Sequence, residues 1–435
     1  MAGLLVWPVQ ANAQADLSGG LKAKFKNTSA GKQKAVVKFK GLPPVTTPGC
    51  PEESWIRFTS SSGDSGRIAL ECERWQSRNG RHRYKGDRNA ESGLAKITLV
   101  PGALKGKLVM KFKRTGGDSP VVGPVDFIEA RMGTGEESKV CGRFTTANSV
   151  FARNEPGQVA ARGPTISCPA FAGERAFFDA LRGTADTSAE AVTLLDQAID
   201  DVPTDGLAAL WLGMNHIMRA SDDLDWRSPT EFAKDELNKS QAALDIAVPL
   251  LPDDLRVPGW RAAATWSAGT ANEDADRIAL GLDQLRAAIE LYPLFNTFDF
   301  VGITAVTPPN DPLYAEALAY MDAALSGNCS PFTDAEVCGN AGAAPHNVEG
   351  TGLLFGDIYL KGGRLEDARY WYELGLSYDA LDSPAGDWAY AYLTEERLAD
   401  LEGRMALYQD NDPDNDPPLV GSAAGGAACG VCHYN

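Results

Sequence analysis

The spacing of the apolar residues in this 435-residue chain changes near residue 165, and this change constrains the fold more than any other feature. Before it, apolar and polar residues alternate, as in residues 21–26 and 109–113, between segments rich in Gly, Pro, Ser and Asp. After it, the apolar residues follow a helical period. Alternation is typical of half-buried strands, and the longer period is typical of amphipathic helices. The sequence therefore predicts a multidomain α+β protein, with its strands first and its helices second.

The charge of the chain divides at the same place. Residues 1–165 contain 26 Lys and Arg against 14 Asp and Glu, whereas residues 166–435 contain 15 against 44. The whole chain has a formal charge of −17, so we expect no nucleic-acid partner. Such asymmetry indicates domains with different roles. We predict a signal-peptide remnant at 1–15, a basic β domain at 16–165, an acidic helical domain at 166–407 and an Asp- and Gly-rich tail at 408–435.

The basic domain is expected to form about seven to nine short strands, a number typical of a β-sandwich of immunoglobulin-like size. Its lysines occupy the polar phase of the strands, for example in residues 21–26 and 109–113. Two interpretations of this pattern stay open. A solvated lysine face discourages edge-to-edge aggregation, whereas a basic docking surface would bind an envelope glycan, a lipid head group or an acidic partner.

Ten amphipathic helices are expected after residue 165, several of them beginning at a capping residue or ending near Pro or Gly. Short connections between them imply antiparallel helix pairs. The predicted bounds are 172–182, 188–201, 207–220, 230–247, 259–270, 274–291, 312–325, 348–361, 365–378 and 387–407.

One helix pair resembles a tetratricopeptide repeat, a helix–turn–helix unit of about 34 residues. The residues that follow the spacing of this repeat are Gly356, Tyr359, Ala368, Tyr372 and Gly375. Its second half recurs in three further copies, which end at Pro203, Pro252 and Pro293, and Gly213 and Gly269 stand where first-helix glycines are expected. The resemblance covers roughly residues 170–407, with insertions. It implies an α-solenoid that binds proteins or peptides, and it implies no chemistry.

The N-terminus and the cysteines both indicate export. Ala11-Asn12-Ala13 forms a small-x-small cleavage pattern after a short apolar run, although no basic segment precedes it. Disulfides persist in oxidising compartments, so we expect a periplasmic or extracellular protein. No run of eighteen apolar residues occurs, and no transmembrane span is expected. Six cysteines allow fifteen pairings, of which the most local is Cys50–Cys72, Cys141–Cys168 and Cys329–Cys338.

The remaining two cysteines lie in the C-terminal sequence Cys429-Gly-Val-Cys432-His433. Cys-x-x-Cys-His is the attachment motif of c-type haem, and a chain of this composition contains it by chance roughly 0.001 times. Two thiols on one turn reach the porphyrin vinyl groups as thioethers, and the adjacent imidazole ligates the iron. The motif resembles that of small cytochromes c, where it opens a helical domain. The sequence predicts an exported monohaem c-type cytochrome that transfers electrons to a redox partner protein or a neighbouring subunit.

Other uses of the motif stay open: a Cys429–Cys432 redox disulfide, a zinc half-site, or the start of a truncated cytochrome domain. The alternative functions are a cell-envelope scaffold that binds protein or glycan partners without a redox role, and a haem-linked peroxidase or sensor. Alternating aspartates at 410–416 offer oxygen ligands for Ca²⁺, but the Gly and the terminal Glu of a calcium loop are absent. No phosphate-binding loop, nucleophile elbow or zinc helix occurs, so we expect an electron carrier rather than an enzyme.

Three further histidines bear on the sixth iron ligand. His346 is our candidate, because it precedes the best repeat and follows the 329–338 loop. His216 stands where the repeat usually has Tyr, and we expect it in the core together with Met214 and Met218. His82 lies between two arginines and is expected to be exposed.

Overall fold

The computed structural model divides into two compact units. The sheet unit contains the described residues up to Arg175 together with Leu194–Asp205, and the helical unit contains Ala176–Thr193 and the described residues from Gly206 onward. The structure describes residues 15–16, 19–27, 32–40, 54–64, 68–78, 81–86, 94–100, 107–115, 124–134, 137–147, 149–156, 158–162, 168–181, 186–221, 228–305, 307–326, 348–379, 391–410 and 415–417.

Fourteen strands are described in the sheet unit. They are β1 (Ala15–Asp16), β2 (Gly19–Asn27), β3 (Lys32–Lys40), β4 (Ser54–Ser60), β5 (Gly63–Asp64), β6 (Ile68–Leu70), β7 (Trp75–Arg78), β8 (Arg81–Tyr84), β9 (Leu94–Val100), β10 (Lys107–Thr115), β11 (Phe127–Thr134), β12 (Glu137–Thr145), β13 (Val150–Glu155) and β14 (Gln158–Arg162).

The strands form two sheets. One has six strands, in the order β1-β12-β11-β4-β5 with β6 also paired to β4, and the other has eight, in the order β13-β14-β2-β3-β10-β9-β8-β7. All described pairings are antiparallel except that of β1 with β12. Residues of both sheets share one apolar core, in which the rings of Phe25 and Phe58 lie 6.1 Å apart.

Twelve α-helices are described after the strands. They are α1 (Pro169–Leu181), α2 (Ser188–Asp201), α3 (Gly206–Ser221), α4 (Glu231–Leu250), α5 (Val257–Ala271), α6 (Ala275–Leu291), α7 (Pro293–Val301), α8 (Pro312–Ser326), α9 (Val348–Lys361), α10 (Leu365–Asp379), α11 (Ala391–Ala399) and α12 (Leu401–Gln409). This order of strands and helices confirms the α+β prediction.

Two helix predictions need correction. Helix α7 was not predicted: the helix expected over 274–291 ends at Leu291, as α6 does, and Pro293 then begins α7, a position where the fixed φ of proline suits a helix and its missing N–H costs nothing. The helix expected over 387–407 is divided into α11 and α12, because Asp400 leaves the helical conformation with φ −135° and ψ 43°.

Consecutive helices in the helical unit pack as close antiparallel pairs. A Cβ atom on Gly213 of α3 would lie 2.6 Å from Leu244 Cγ of α4, and one on Gly281 of α6 would lie 2.6 Å from the backbone of Trp266 in α5. Such distances leave no room for a larger side chain. Gly213 and Gly281 therefore lie where two helices pack closely.

The cysteine prediction is tested at one pair. Cys141 of β12 and Cys168, directly before α1, form a disulfide with 27 residues of sequence separation, as predicted, and both are fully buried. Cys50, Cys329 and Cys338 lie outside the described residues, and the side chain of Cys72 is not described. Within the described ranges, we find no helix whose length and apolar character would let it cross a bilayer.

Candidate functional site

The predicted haem ligands Cys429, Cys432 and His433 lie outside the described residues, as does His346. Their fit to haem can be judged from the chemistry of the donor set. Two thiols separated by two residues and an imidazole directly after the second provide both covalent anchors and an axial nitrogen. This donor set fits a c-type haem, and it needs no further residue to attach the group.

His216 on α3 is held in a buried ion cluster of the helical unit. Its Nδ1 lies 2.9 Å from Glu236 Oε2 on α4, and Arg219 Nε donates a hydrogen bond of 2.6 Å to the same oxygen. A carboxylate only accepts hydrogen bonds, so Nδ1 carries the proton. Burial alone would raise the pKa of Glu236, but the bonds from His216 and Arg219 outweigh it and hold that pKa below its ordinary value.

The position of His216 agrees with the prediction that it lies in the core. The ring is 4% exposed, and Met214 and Met218 of the same helix are also buried. Its described partners anchor α3 to α4, which is a structural role. We therefore do not assign His216 as an iron ligand.

The prediction that His82 is exposed is wrong. His82 is 8% exposed and pairs in register with Leu99 of β9. It alternates along β8 with exposed Arg83, so it shares the inward phase with buried Tyr84. Strand phase, rather than the charge of the adjacent arginines, decides which way each side chain points. Burial lowers the pKa of the ring.

A second group of charged side chains, which the sequence did not indicate, is buried in the sheet unit. We call it the arginine cluster, and it is centred on Asp205, which lies between α2 and α3. Arg57 Nη1 and Arg131 Nη2 each donate a hydrogen bond of 2.7 Å to the Asp205 carboxylate. The arginine cluster consists of Arg57, Glu129, Arg131, Arg143, Asp201 and Asp205.

The arginine cluster balances three guanidinium groups against three carboxylates. Arg131 also donates to Glu129 Oε1 at 3.0 Å, and Arg143 donates to Asp201 Oδ2 at 2.8 Å. Burial works against the charged form of Arg131, but attraction to Asp205 and Glu129 outweighs it and raises the pKa of Arg131. Arg131 therefore stays charged at neutral pH, and its ion pair with Asp205 joins β11 to the residues between α2 and α3.

The arginine cluster corrects one expectation from the sequence. Each strand was expected to expose one polar face, yet β11 is buried on both faces. Ile128 and Ala130 lie in the apolar core, while Glu129 and Arg131 are 4% and 2% exposed on the opposite side. The residues after α2 supply Asp205 as the counter-charge, so the polar face is covered. Glu129 and Arg131 lie two residues apart and so share one phase of β11, but this pattern does not distinguish a buried polar face from a solvated one.

The disulfide lies beside the arginine cluster. Glu129, Cys141 and Cys168 offer ligand atoms within 4.8 Å of one another, which is the spacing of a metal site. The two sulfurs are joined to each other, however, and a disulfide lacks the thiolates that bind a metal. The group is therefore assigned as a structural crosslink.

Two other predicted or candidate sites involve acidic residues. In the described part of the Asp-rich segment, Asn415 donates to Asp410 Oδ2 at 2.9 Å, and Asp412 and Asp414 lie outside that part.

A shallow groove between α4 and α6 contains Arg277, whose Nε donates to Gln241. Asp245, Asp274 and Asp276 border the groove, and we assign no function to it.

Comparisons with known proteins identify no relative of this chain. No protein-family model matches it, and searches of curated proteins and of solved structures find no match either.

Proposed function

We propose that this chain is an exported monohaem c-type cytochrome that transfers electrons. The observation that carries the proposal is the sequence Cys429-x-x-Cys432-His433, whose donor set fits covalent haem and whose chance occurrence is of the order of 0.001. Haem c would supply a one-electron carrier with a potential set by its axial ligands and surroundings. The thiols would anchor the group, and the His433 imidazole would bind the iron.

Two features of the described fold support this proposal. The Cys141–Cys168 disulfide is typical of an oxidising compartment, which is also where thioether attachment is expected. His82 and His216 are both buried. A haem at the tail would have to open a packed core to reach either ring. His346 therefore remains our proposed sixth ligand.

The test is to express the chain with a c-type maturation system and to record its intact mass and its pyridine haemochrome spectrum. We expect a mass gain of one haem and a c-type absorption band. A Cys429→Ser, Cys432→Ser double variant should lose both, while a Cys50→Ser, Cys72→Ser double variant, which changes two cysteines outside the motif, should keep both. A folded, exported protein without a mass gain would refute the proposal.

The sixth ligand needs a separate measurement. We expect His346→Ala to convert a low-spin iron spectrum to a high-spin one, because it removes one strong-field ligand. His433→Ala should disturb the spectrum more severely. An unchanged spin state in His346→Ala would exclude His346 as the ligand and leave the haem proposal intact.

The helical unit supports a second candidate function, a cell-envelope scaffold without a redox role. Its close antiparallel pairs at Gly213 and Gly281 are what a tetratricopeptide-like solenoid requires, and we propose this architecture, with a β-sandwich before it. Such a scaffold would bind its partner after residues 429–435 are removed. Retention of partner binding by a colourless protein would favour this function over electron transfer.

A further inference from the structure

The eight-stranded sheet has an unusual charge composition. Every one of its strands contains at least one Lys or Arg, and Glu155, in the edge strand β13, is the only acidic residue in these eight strands. The six-stranded sheet, in contrast, contains both signs of charge in β11 and β12. The basic charge of the N-terminal half is therefore concentrated in one sheet.

The strand register places these Lys positions in one strand phase. Lys24 pairs with Val36, Val36 with Lys111, and Lys111 with Lys96, so that four strands contribute to one row. Parallel rows contain Lys26, Lys34 and Lys113, then Lys22 and Lys38, then Lys40 and Lys107. We call this surface the lysine face. Adjacent strands are about 4.8 Å apart, so each row presents cationic positions at that interval or its multiples.

The side chains that alternate with these lysines along the same strands lie in the apolar core. The lysine face therefore lies on the side of the sheet away from that core. Phe25 and Val37 are buried, whereas Lys24 is exposed and Lys38 and Lys96 are half-buried. In the part of the chain that the structure describes, no ion pair includes Lys24, Lys38 or Lys96. Like charges in adjacent strand positions destabilise a sheet, and an anionic ligand would relieve that repulsion.

We propose that the lysine face binds a linear acidic polysaccharide that bears carboxylate or sulfate groups. Lysine dominates over arginine here, and a lysine ammonium acts as a mobile point charge rather than as a planar bidentate fork. Point charges suit repeated, loosely specified contacts along a polyanion. This inference concerns the sheet unit and does not depend on haem binding.

The chemistry of the face disfavours the other polyanions. The register positions between the lysines are Val36, Thr98, Val109, Gln158 and Ala160, and none is aromatic. Single-stranded nucleic acids need aromatic rings on which their bases stack. None of these five positions therefore offers a ring on which a nucleic-acid base could stack.

The twist of the sheet disfavours a bilayer surface. Neighbouring strands rotate by about 20–25°, so the six strands from β14 to β8 turn through roughly 100°. A planar membrane would touch only a few of these strands, whereas a flexible linear chain can follow the rows across all of them. The face also lacks the Trp and Tyr side chains that anchor proteins at a lipid interface.

The test measures binding of the full chain to heparin and to polygalacturonate, with neutral dextran as a blank, between 50 and 200 mM salt. The variant Lys24→Gln, Lys38→Gln, Lys96→Gln should lower the affinity at least tenfold at low salt. It should also reduce the salt slope, because fewer neutralised charges release fewer counterions. The matching arginine variant at the same positions should retain binding.

A control variant with the same change in charge in the helical unit, Lys234→Gln, Lys239→Gln, Arg369→Gln, should bind as the wild type does. Equal weakening by both glutamine variants would overturn the proposal, since only net charge would then matter. Tighter binding to oligodeoxythymidylate or to phosphatidylglycerol vesicles than to either polysaccharide would also overturn it. Salt-dependent self-association without polysaccharide binding would instead assign the face to a second copy of the chain.

Discussion

The clearest quantitative test of the fold is the removal of the charge on Asp205. This residue is 3% exposed and accepts hydrogen bonds of 2.7 Å from both Arg57 and Arg131. Asp205→Asn preserves the size of the side chain but leaves two buried guanidinium groups without their shared counter-charge. Removing one partner of a buried ion pair typically costs about 3–5 kcal/mol, and we expect a loss of unfolding free energy in that range.

Hydrogen exchange measured by mass spectrometry can assign this loss to the sheet unit. A loss of about 3–5 kcal/mol corresponds to two to three or more orders of magnitude in amide protection, and we expect it in β4 and β11. Urea unfolding should show a midpoint lower by about 1.5–2.5 M if m is about 2 kcal/mol/M.

A matched exposed pair provides the control for this prediction. Asp245 contacts Arg261 at 2.7 Å, but the two side chains are 44% and 29% exposed. Asp245→Asn should therefore cost at most about 1 kcal/mol. If Asp205→Asn cost no more than Asp245→Asn, with m unchanged, the argument that burial gives the arginine cluster its energetic weight would be refuted.

Three further predictions concern packing, crosslinking and pH. Gly281→Ala should lower the unfolding free energy of the helical unit by about 1–3 kcal/mol, since its Cβ would meet backbone atoms. Gly302→Ala is the control, because a Cβ at this position would have no heavy atom within 4 Å. Equal melting temperatures of the two variants would contradict this reasoning. Replacing Cys141 and Cys168 by Ser should cost roughly 3–4 kcal/mol from loop entropy, measured by urea unfolding; no loss would argue against the crosslink. Because the pKa of Glu236 is lowered from 4.5 in the folded state, its contribution should be present above pH 4.5 and lost as the pH falls through the folded value. A plot of unfolding free energy against pH should be flatter for Glu236→Gln than for the wild type. Identical plots for the two proteins would contradict the prediction.

Local features of this protein were predictable from its sequence because they depend on neighbouring residues. The bounds of α2 and α9 agree with the predicted 188–201 and 348–361, since helical periodicity and end signals are local. The Cys141–Cys168 pair was predictable in the same way, from sequence separation. The haem motif at Cys429 and Cys432 is also a local signal, and it stays a prediction.

The burial of Asp205 and of His82 was decided by the tertiary structure. Nothing in the sequence near Arg131 indicates that Asp205, 74 residues away, covers the second face of β11. The same holds for His82, whose burial depends on the phase that β8 adopts when it pairs with β9. Periodicity defines the two faces of a strand, but only packing determines whether the polar face meets water or a counter-charge.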